Sequence, residues 1–117
     1  MLDFKDNKPM YSQLIDRISD AILTGEVKSG ERILSIRAQA VEMEININTV
    51  EKAYDYLRKH DIIYKQRGMG YYVTDVARDK IMEERRKKFF ETGVKEFFRQ
   101  MKMLGIDIKE IDDMWEK

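Results

Sequence analysis

The sequence lacks cysteine altogether and contains a single proline and a single histidine. The absence of cysteine excludes disulfide bonds, thiolate metal ligands and a cysteine nucleophile. Since His60 is the only imidazole, no set of spaced histidines and carboxylates is available for catalysis or for metal binding. No glycine-rich phosphate loop opens a helix. We therefore expect no enzymatic activity, no metal site and no cofactor.

Long apolar runs are also missing, since no segment approaches the ~18 consecutive apolar residues that a membrane span requires. The first residues, MLDFKDNKPMYSQ, have neither the basic region nor the apolar region of a secretory signal. The lack of cysteine fits a reducing compartment. These features lead us to expect a cytoplasmic protein with no membrane partner.

The charges balance, with 22 basic and 22 acidic residues in the whole chain. Residues 1–75 carry 11 basic and 12 acidic side chains, and residues 76–117 carry 11 and 10. Nucleic-acid binding gains most from the neutralisation of phosphates, and neither half is a polycation. Any binding to nucleic acid would therefore depend on local patches.

Residues 1–75 show the pattern of three helices followed by a hairpin. The first helix begins after Pro9, and Gly25 is a suitable residue for its C-terminal end. The second begins with Ser35 as N-cap and runs to about Met43, and the third begins with Asn46 as N-cap. Two β-prone runs then flank the glycines of RGMG within residues 62–74. Mainly α structure with a small β-hairpin, in this order, is a winged helix-turn-helix.

Residues 76–117 form a second region, predicted to be two helices. Apolar residues recur there at heptad-like spacing up to Gly105, and a last short helix spans roughly 107–116. A single helix this rich in aromatic residues cannot cover them itself. The apolar face can belong to an intramolecular core, a dimer seam or a ligand pocket, and a dimer is the most economical solution.

Several ordered motifs then point to a known family: PMYSQ, SIR, NINTVEKAY and RGMGYYV, each at a characteristic spacing. Residues 8–74 resemble the DNA-binding domain of GntR-family transcription regulators. The remaining residues are too few for the large effector domains common in that family. The tail resembles that of the YtrA subfamily, in which it serves mainly for dimerisation.

The resemblance implies a homodimeric repressor that binds double-stranded DNA at a pseudo-palindromic operator. It leaves open whether the protein also binds a small-molecule effector. The start of the second helix, the first turns of the third and the wing would contact DNA. The residues concerned are Ser35, Arg37, Asn46, Asn48, Thr49, Lys52, Arg67, Gly68 and Gly70. The dimer interface would contain Phe90, Val94, Phe97, Phe98, Met101, Leu104, Ile108, Ile111 and Trp115.

The chain departs from the family pattern at positions 34, 38, 39, 44 and 47. The family often has Glu at Ala38, where it would complete a capping box with Ser35, and usually has Leu at Gln39. A turn Gly is usual at Glu44. If that turn requires a positive φ, Glu44 is strained there by ~1 kcal/mol or more.

Two simpler interpretations stay open at this point. Asn46, Asn48 and Thr49 are also ordinary capping and first-turn residues, and the arginines are also ordinary surface residues. The neutral charge, together with Glu44 and Glu51, also leaves a second function open. In that case the chain is a winged-helix module that binds a protein partner and has weak or lost DNA binding. Binding to DNA at low salt distinguishes the two functions.

Overall fold

The computed structural model of the chain describes residues 8–116. Residues 1–7, part of the stretch on which the expectation of no secretory signal depends, lie outside the described residues. The chain divides into two compact units, one ending at Met82 and the other beginning at Glu83. In chain order the elements are α1 (Met10–Leu23), β1 (Arg32–Ile33), α2 (Ile36–Met43), α3 (Ile47–Lys59), β2 (Ile63–Gln66), β3 (Gly70–Val73), α4 (Ala77–Lys88), a π-helical segment (Phe89–Gly93), α5 (Val94–Leu104) and α6 (Ile108–Trp115).

The core of the first unit lies where α1 and α2 pack against α3. The apolar residues of α1 and α3 recur at helical spacing, so that one face of each helix turns inward. Burying a large apolar side chain stabilises the fold by about 1.5–3 kcal/mol. The largest fully buried side chains are Tyr54, Leu14, Leu57, Ile63, Val50 and Val73.

The predicted hairpin is present, and a third strand joins it. Strands β2 and β3 are antiparallel, with Ile63 opposite Val73 and Gln66 opposite Gly70. Strand β1 pairs with the other edge of β3, giving the sheet order β1-β3-β2. The short extended piece before the second helix is therefore the third strand of the wing sheet.

The turn between α2 and α3 has a left-handed residue at Glu44, with φ 55° and ψ 46°. The backbone N–H of Ile45 donates to the carbonyl of Ala40 at 3.1 Å, which closes the C-terminal end of α2. The condition under which Glu44 is strained, a positive φ in this turn, is therefore met. A residue with a Cβ in this conformation costs about 1 kcal/mol relative to glycine.

The first unit extends past the boundary predicted at Asp75. Ala77 and Ile81, in the first turns of α4, are buried in the same apolar core as α1 and α3. The Arg78 guanidinium also donates to the backbone carbonyl of Leu23 at the end of α1. These contacts explain why the start of α4 belongs to the first unit.

The second unit contains an interruption that the heptad-like spacing did not predict. The N–H of Val94 donates to the carbonyl of Phe89, an i to i+5 bond that makes one π-helical turn. A π-helical turn contains more residues than an α-helical turn. It therefore changes the angle around the helix axis between Phe90 and the residues after Gly93, and the α-helical periodicity does not continue through it. Helix α5 then ends at Gly105, and a capping box of Asp107 and Glu110 starts α6.

Candidate nucleic-acid interface

The first turn of α3 presents polar side chains to solvent. The Asn46 side chain accepts a hydrogen bond of 2.7 Å from the backbone N–H of Asn48, so it caps the helix as predicted. Asn48 is exposed and Thr49 is partly buried, while Val50 behind them is completely buried. Asn46 therefore orders the turn, and the side chain of Asn48 remains accessible.

The start of α2 provides a cation. The Ser35 hydroxyl oxygen accepts from the N–H of Ala38 at 3.1 Å, which fixes the beginning of the helix. Because the hydroxyl acts as acceptor in this bond, its proton can still be donated to a DNA phosphate. Arg37 lies in the first turn and is exposed. A guanidinium there can bind phosphate or a guanine edge.

The wing tip is the turn that joins β2 to β3. The N–H of Met69 donates to the carbonyl of Gln66 at 2.9 Å, and Gly68 adopts φ 76°. Arg67 and Gly68 are both exposed at this turn. The turn thus combines a cation with a backbone that lacks a side chain and can approach a phosphate closely.

A second arginine lies at the wing, and the sequence analysis did not include it. A Cβ placed on Gly70 would lie 3.0 Å from Nε of Arg32 and 3.2 Å from its Nη2. The Arg32 guanidinium therefore lies against the Gly70 backbone. The cause is the pairing of Arg32 with Tyr72 between β1 and β3, which no local pattern of the sequence reveals.

An open pocket of about 560 Å³ lies beside the first turns of α3. Its lining combines the beginning of α1, Pro9 to Tyr11, with Asn48, Thr49 and Lys52 of α3. The Lys52 ammonium lies 4.0 Å from the centroid of the Tyr11 ring, a cation–π contact. Tyr11 is not among the residues predicted to contact DNA, because this contact depends on how α1 packs against α3.

Comparison with known proteins identifies the family of the chain. The sequence profile described as "Bacterial regulatory proteins, gntR family" matches residues 10–73, more than half of the chain. The chain belongs to the GntR family. As a GntR-family protein it is a non-enzymatic, DNA-binding transcription regulator with a winged helix-turn-helix.

Full-length relatives extend this likeness beyond the DNA-binding unit. The chain is 34% identical over 106 residues to the HTH-type transcriptional repressor YtrA of Bacillus subtilis, covering 91% of this chain and 75% of YtrA. It is 29% identical to the uncharacterized HTH-type transcriptional regulator YhcF of the same organism over 108 residues, 92% of this chain and 88% of YhcF. The likeness to YtrA supports assignment to the YtrA-like subfamily.

A solved structure agrees with the fold over nearly the whole chain. The GntR family transcriptional regulator from Listeria monocytogenes is similar at a TM-score of 0.75 and 32% sequence identity. The match covers 97% of this chain and 97% of that one. The mainly helical fold with its small antiparallel sheet is thus that of the GntR regulators.

The tail of this GntR-family protein has an exposed apolar surface in the single chain. Phe97 and Phe98 on α5 are each 44% exposed, and Trp115 on α6 is 86% exposed. Met101 differs, because it is only 7% exposed and can add little area to an interface. The other residues predicted for the interface are partly or largely exposed: Phe90, Val94, Leu104, Ile108 and Ile111.

Two further observations concern other kinds of site. Within residues 8–116, no group of three or more histidine and carboxylate side chains is arranged to hold a metal ion. In the same range, no helix is long and apolar enough to cross a membrane.

Proposed function

We propose that the protein is a homodimeric repressor that binds a pseudo-palindromic operator through α3 and the wing. The observation that carries this proposal is the exposed Asn48 on the first turn of a helix whose other face is buried. An asparagine amide is the natural bidentate partner of adenine in the major groove, and an adjacent threonine can contact a thymine methyl group. The first turn of α3 would then read the bases.

The cations needed for phosphate contacts come from other elements. Arg37 lies in the first turn of α2, Arg67 lies at the wing tip, and Lys52 is one turn beyond Asn48 on α3. Arginine also suits a narrow minor groove, which is where we place the wing. This distribution supplies local positive charge although the whole chain is neutral.

The exposed aromatic residues of the tail support a homodimer. Single exposed apolar side chains are common, but neighbouring exposed rings such as Phe97 and Phe98, whose centroids are 6.3 Å apart, are typical of an interface. Each aromatic side chain that becomes buried contributes about 2–3 kcal/mol. A two-fold dimer also matches a two-fold operator, whose half-sites would be read by one α3 each.

The repressor role is supported by the name of one relative, the transcriptional repressor YtrA. A dimer that occupies an operator can block transcription sterically. Because the proposed ligand is chromosomal DNA, we place the protein in the cytoplasm.

Selection of duplexes from a random-sequence pool tests the proposal. The protein is expected to enrich an inverted repeat, with half-sites about one helical turn apart, and to bind it as two chains per duplex. Enrichment of no sequence, even at low salt where phosphate contacts are strongest, would favour the protein-interaction module instead. Binding of one chain to a single half-site would overturn the dimeric docking.

A further inference from the structure

We propose that Tyr11 and Lys52 form a clamp for one DNA backbone phosphate, in which the Tyr11 ring positions the Lys52 ammonium. This inference rests on the proposed DNA-binding function and adds to it a site at the start of α1. Tyr11 is the positioning residue, and Lys52 makes the phosphate contact.

The geometry begins with two helices that meet at the pocket. Tyr11 lies in the first turn of α1, two residues after the N-cap Pro9, and Lys52 lies on α3. Asn48 and Lys52 are four residues apart, so they lie on the same face of α3 one turn apart. A lysine one turn beyond the reading residue is placed to meet the DNA backbone while Asn48 faces the bases.

The cation–π contact changes what Lys52 can do. A lysine side chain is long and flexible, and an exposed one normally samples many rotamers. The Tyr11 ring, 4.0 Å from the ammonium, restricts that motion and neutralises no charge. The ammonium has three N–H donors, so those not facing the ring can donate to a phosphate oxygen.

The lining of the pocket favours a backbone phosphate as the occupant. It combines the ammonium of Lys52 with the hydroxyl of Thr49 on the same helix. Such donors are those that contact phosphate oxygens in protein–DNA complexes. The pocket is open to solvent, as access for a continuous polymer requires.

Four variants of the full-length protein test the positioning role: Tyr11→Phe, Tyr11→Leu, Lys52→Met and the double variant Tyr11→Leu with Lys52→Met. Affinity for the selected operator is measured by fluorescence anisotropy across a salt series. Lys52→Met is expected to weaken binding about tenfold and to flatten the salt dependence by about 0.9 in log–log slope, the contribution of one phosphate. Tyr11→Leu is expected to weaken binding about fivefold, as loss of one cation–π contact implies.

The remaining two variants decide whether the pair acts as a unit. Tyr11→Phe keeps the ring and is expected to bind within about twofold of the wild type, because phenylalanine also accepts a cation. The double variant is expected to bind no more weakly than Lys52→Met. Equal losses for Tyr11→Phe and Tyr11→Leu, or additive losses in the double variant, would overturn the positioning role. Thermal unfolding of each variant confirms that it folds.

The phosphate itself is tested with duplexes that carry one neutral methylphosphonate at each backbone position in turn. We expect one position per half-site to weaken the wild type as much as Lys52→Met does, and to have no effect on that variant. If no position behaves in this way, Lys52 contacts no phosphate and the clamp is wrong, although the operator is bound. If the wild type binds no duplex at all, both the clamp and the proposed function fail.

A last experiment compares the operator duplex with inorganic phosphate at constant ionic strength. The NMR signal of the Lys52 ammonium is expected to shift on addition of operator duplex and to stay unchanged with inorganic phosphate alone. An equal shift with both would assign the pocket to small anions and overturn the DNA clamp.

Discussion

The phenol of Tyr54 on α3 donates a hydrogen bond of 2.7 Å to the backbone carbonyl of Leu34, in the segment between β1 and α2. Tyr54 is completely buried, and its ring lies edge-on to that of Tyr71 with the centroids 5.0 Å apart. The bond therefore connects the proposed reading helix with the chain that leads into Arg37. Gln39, a buried polar residue where the family usually has leucine, lies beside the same hydroxyl, 3.4 Å from it.

Replacing Tyr54 by Phe should lower the free energy of unfolding by about 1–2 kcal/mol, because the Leu34 carbonyl loses its donor at a partly buried position. Chemical denaturation measures the change. Tyr64→Phe is the control, since Tyr64 is exposed and should change stability by less than about 0.5 kcal/mol. Equal stability of Tyr54→Phe and the wild type would show that the bond contributes nothing.

The stability that buried Tyr54 contributes should also depend on pH. Burial, with a smaller contribution from Tyr71, raises the pKa of Tyr54 above its ordinary value of 10.0. Since the unfolded chain ionises first, the stabilisation is fully present below pH ~10 and is lost as the pH rises toward the higher folded value. The stability difference between wild type and Tyr54→Phe should therefore shrink above pH ~10. A constant difference would contradict the raised pKa.

Glu44→Gly should stabilise the protein by about 1 kcal/mol, because glycine adopts the left-handed conformation without cost. Urea denaturation measures the gain. Glu44→Ala is the matched control: it removes the charge and keeps the Cβ, so it should give no comparable gain. If alanine stabilises as much as glycine, the charge of Glu44 and not its φ of 55° is the cause.

The local features of the fold could be predicted because their causes are local. Ser35 and Asn46 cap the helices that follow them, and glycines in the RGMG segment allow the hairpin turn. The turn residue Glu44 could also be identified, because the family pattern that the sequence resembles usually has glycine at this position.

Features that depend on distant contacts could not be predicted. Strand β1 is two residues long and exists only because it pairs with β3. The contacts of Arg32 with Gly70 and of Lys52 with Tyr11 likewise follow from that pairing and from the packing of α1 on α3. The π-helical segment also could not be predicted, because the apolar residues of the sequence keep their heptad-like spacing on both sides of it.

Arg37→Ala and Arg67→Ala should each weaken operator binding by about tenfold or more, since each removes a charged contact from the DNA surface. Both side chains are exposed, so stability should change by less than about 0.5 kcal/mol. Arg58→Ala is the control, because Arg58 is exposed in the last turn of α3, at the opposite end from Asn48. Unchanged affinity of both arginine variants would refute the proposed docking.

Phe97→Glu should dissociate the proposed dimer, because it places a charge in the apolar surface of the tail. Sedimentation equilibrium should give twice the 14.0 kDa chain mass for the wild type and the single-chain mass for the variant. Met103→Glu is the matched control, because Met103 is 72% exposed and lies outside the predicted interface. A dimer that withstands Phe97→Glu, or a monomeric wild type, would exclude this surface as the interface.

The most direct measurement of the central claim is the ratio of affinities for the selected operator and for a scrambled duplex, at one salt concentration, for the wild type and Asn48→Ala. The wild type should prefer the operator by about a thousandfold or more. Asn48→Ala should reduce this ratio by about tenfold or more and leave affinity for the scrambled duplex unchanged, because an amide that reads a base contributes only to specific binding. Equal wild-type affinities for both duplexes, or an equal loss on both in the variant, would contradict base reading by the first turn of α3.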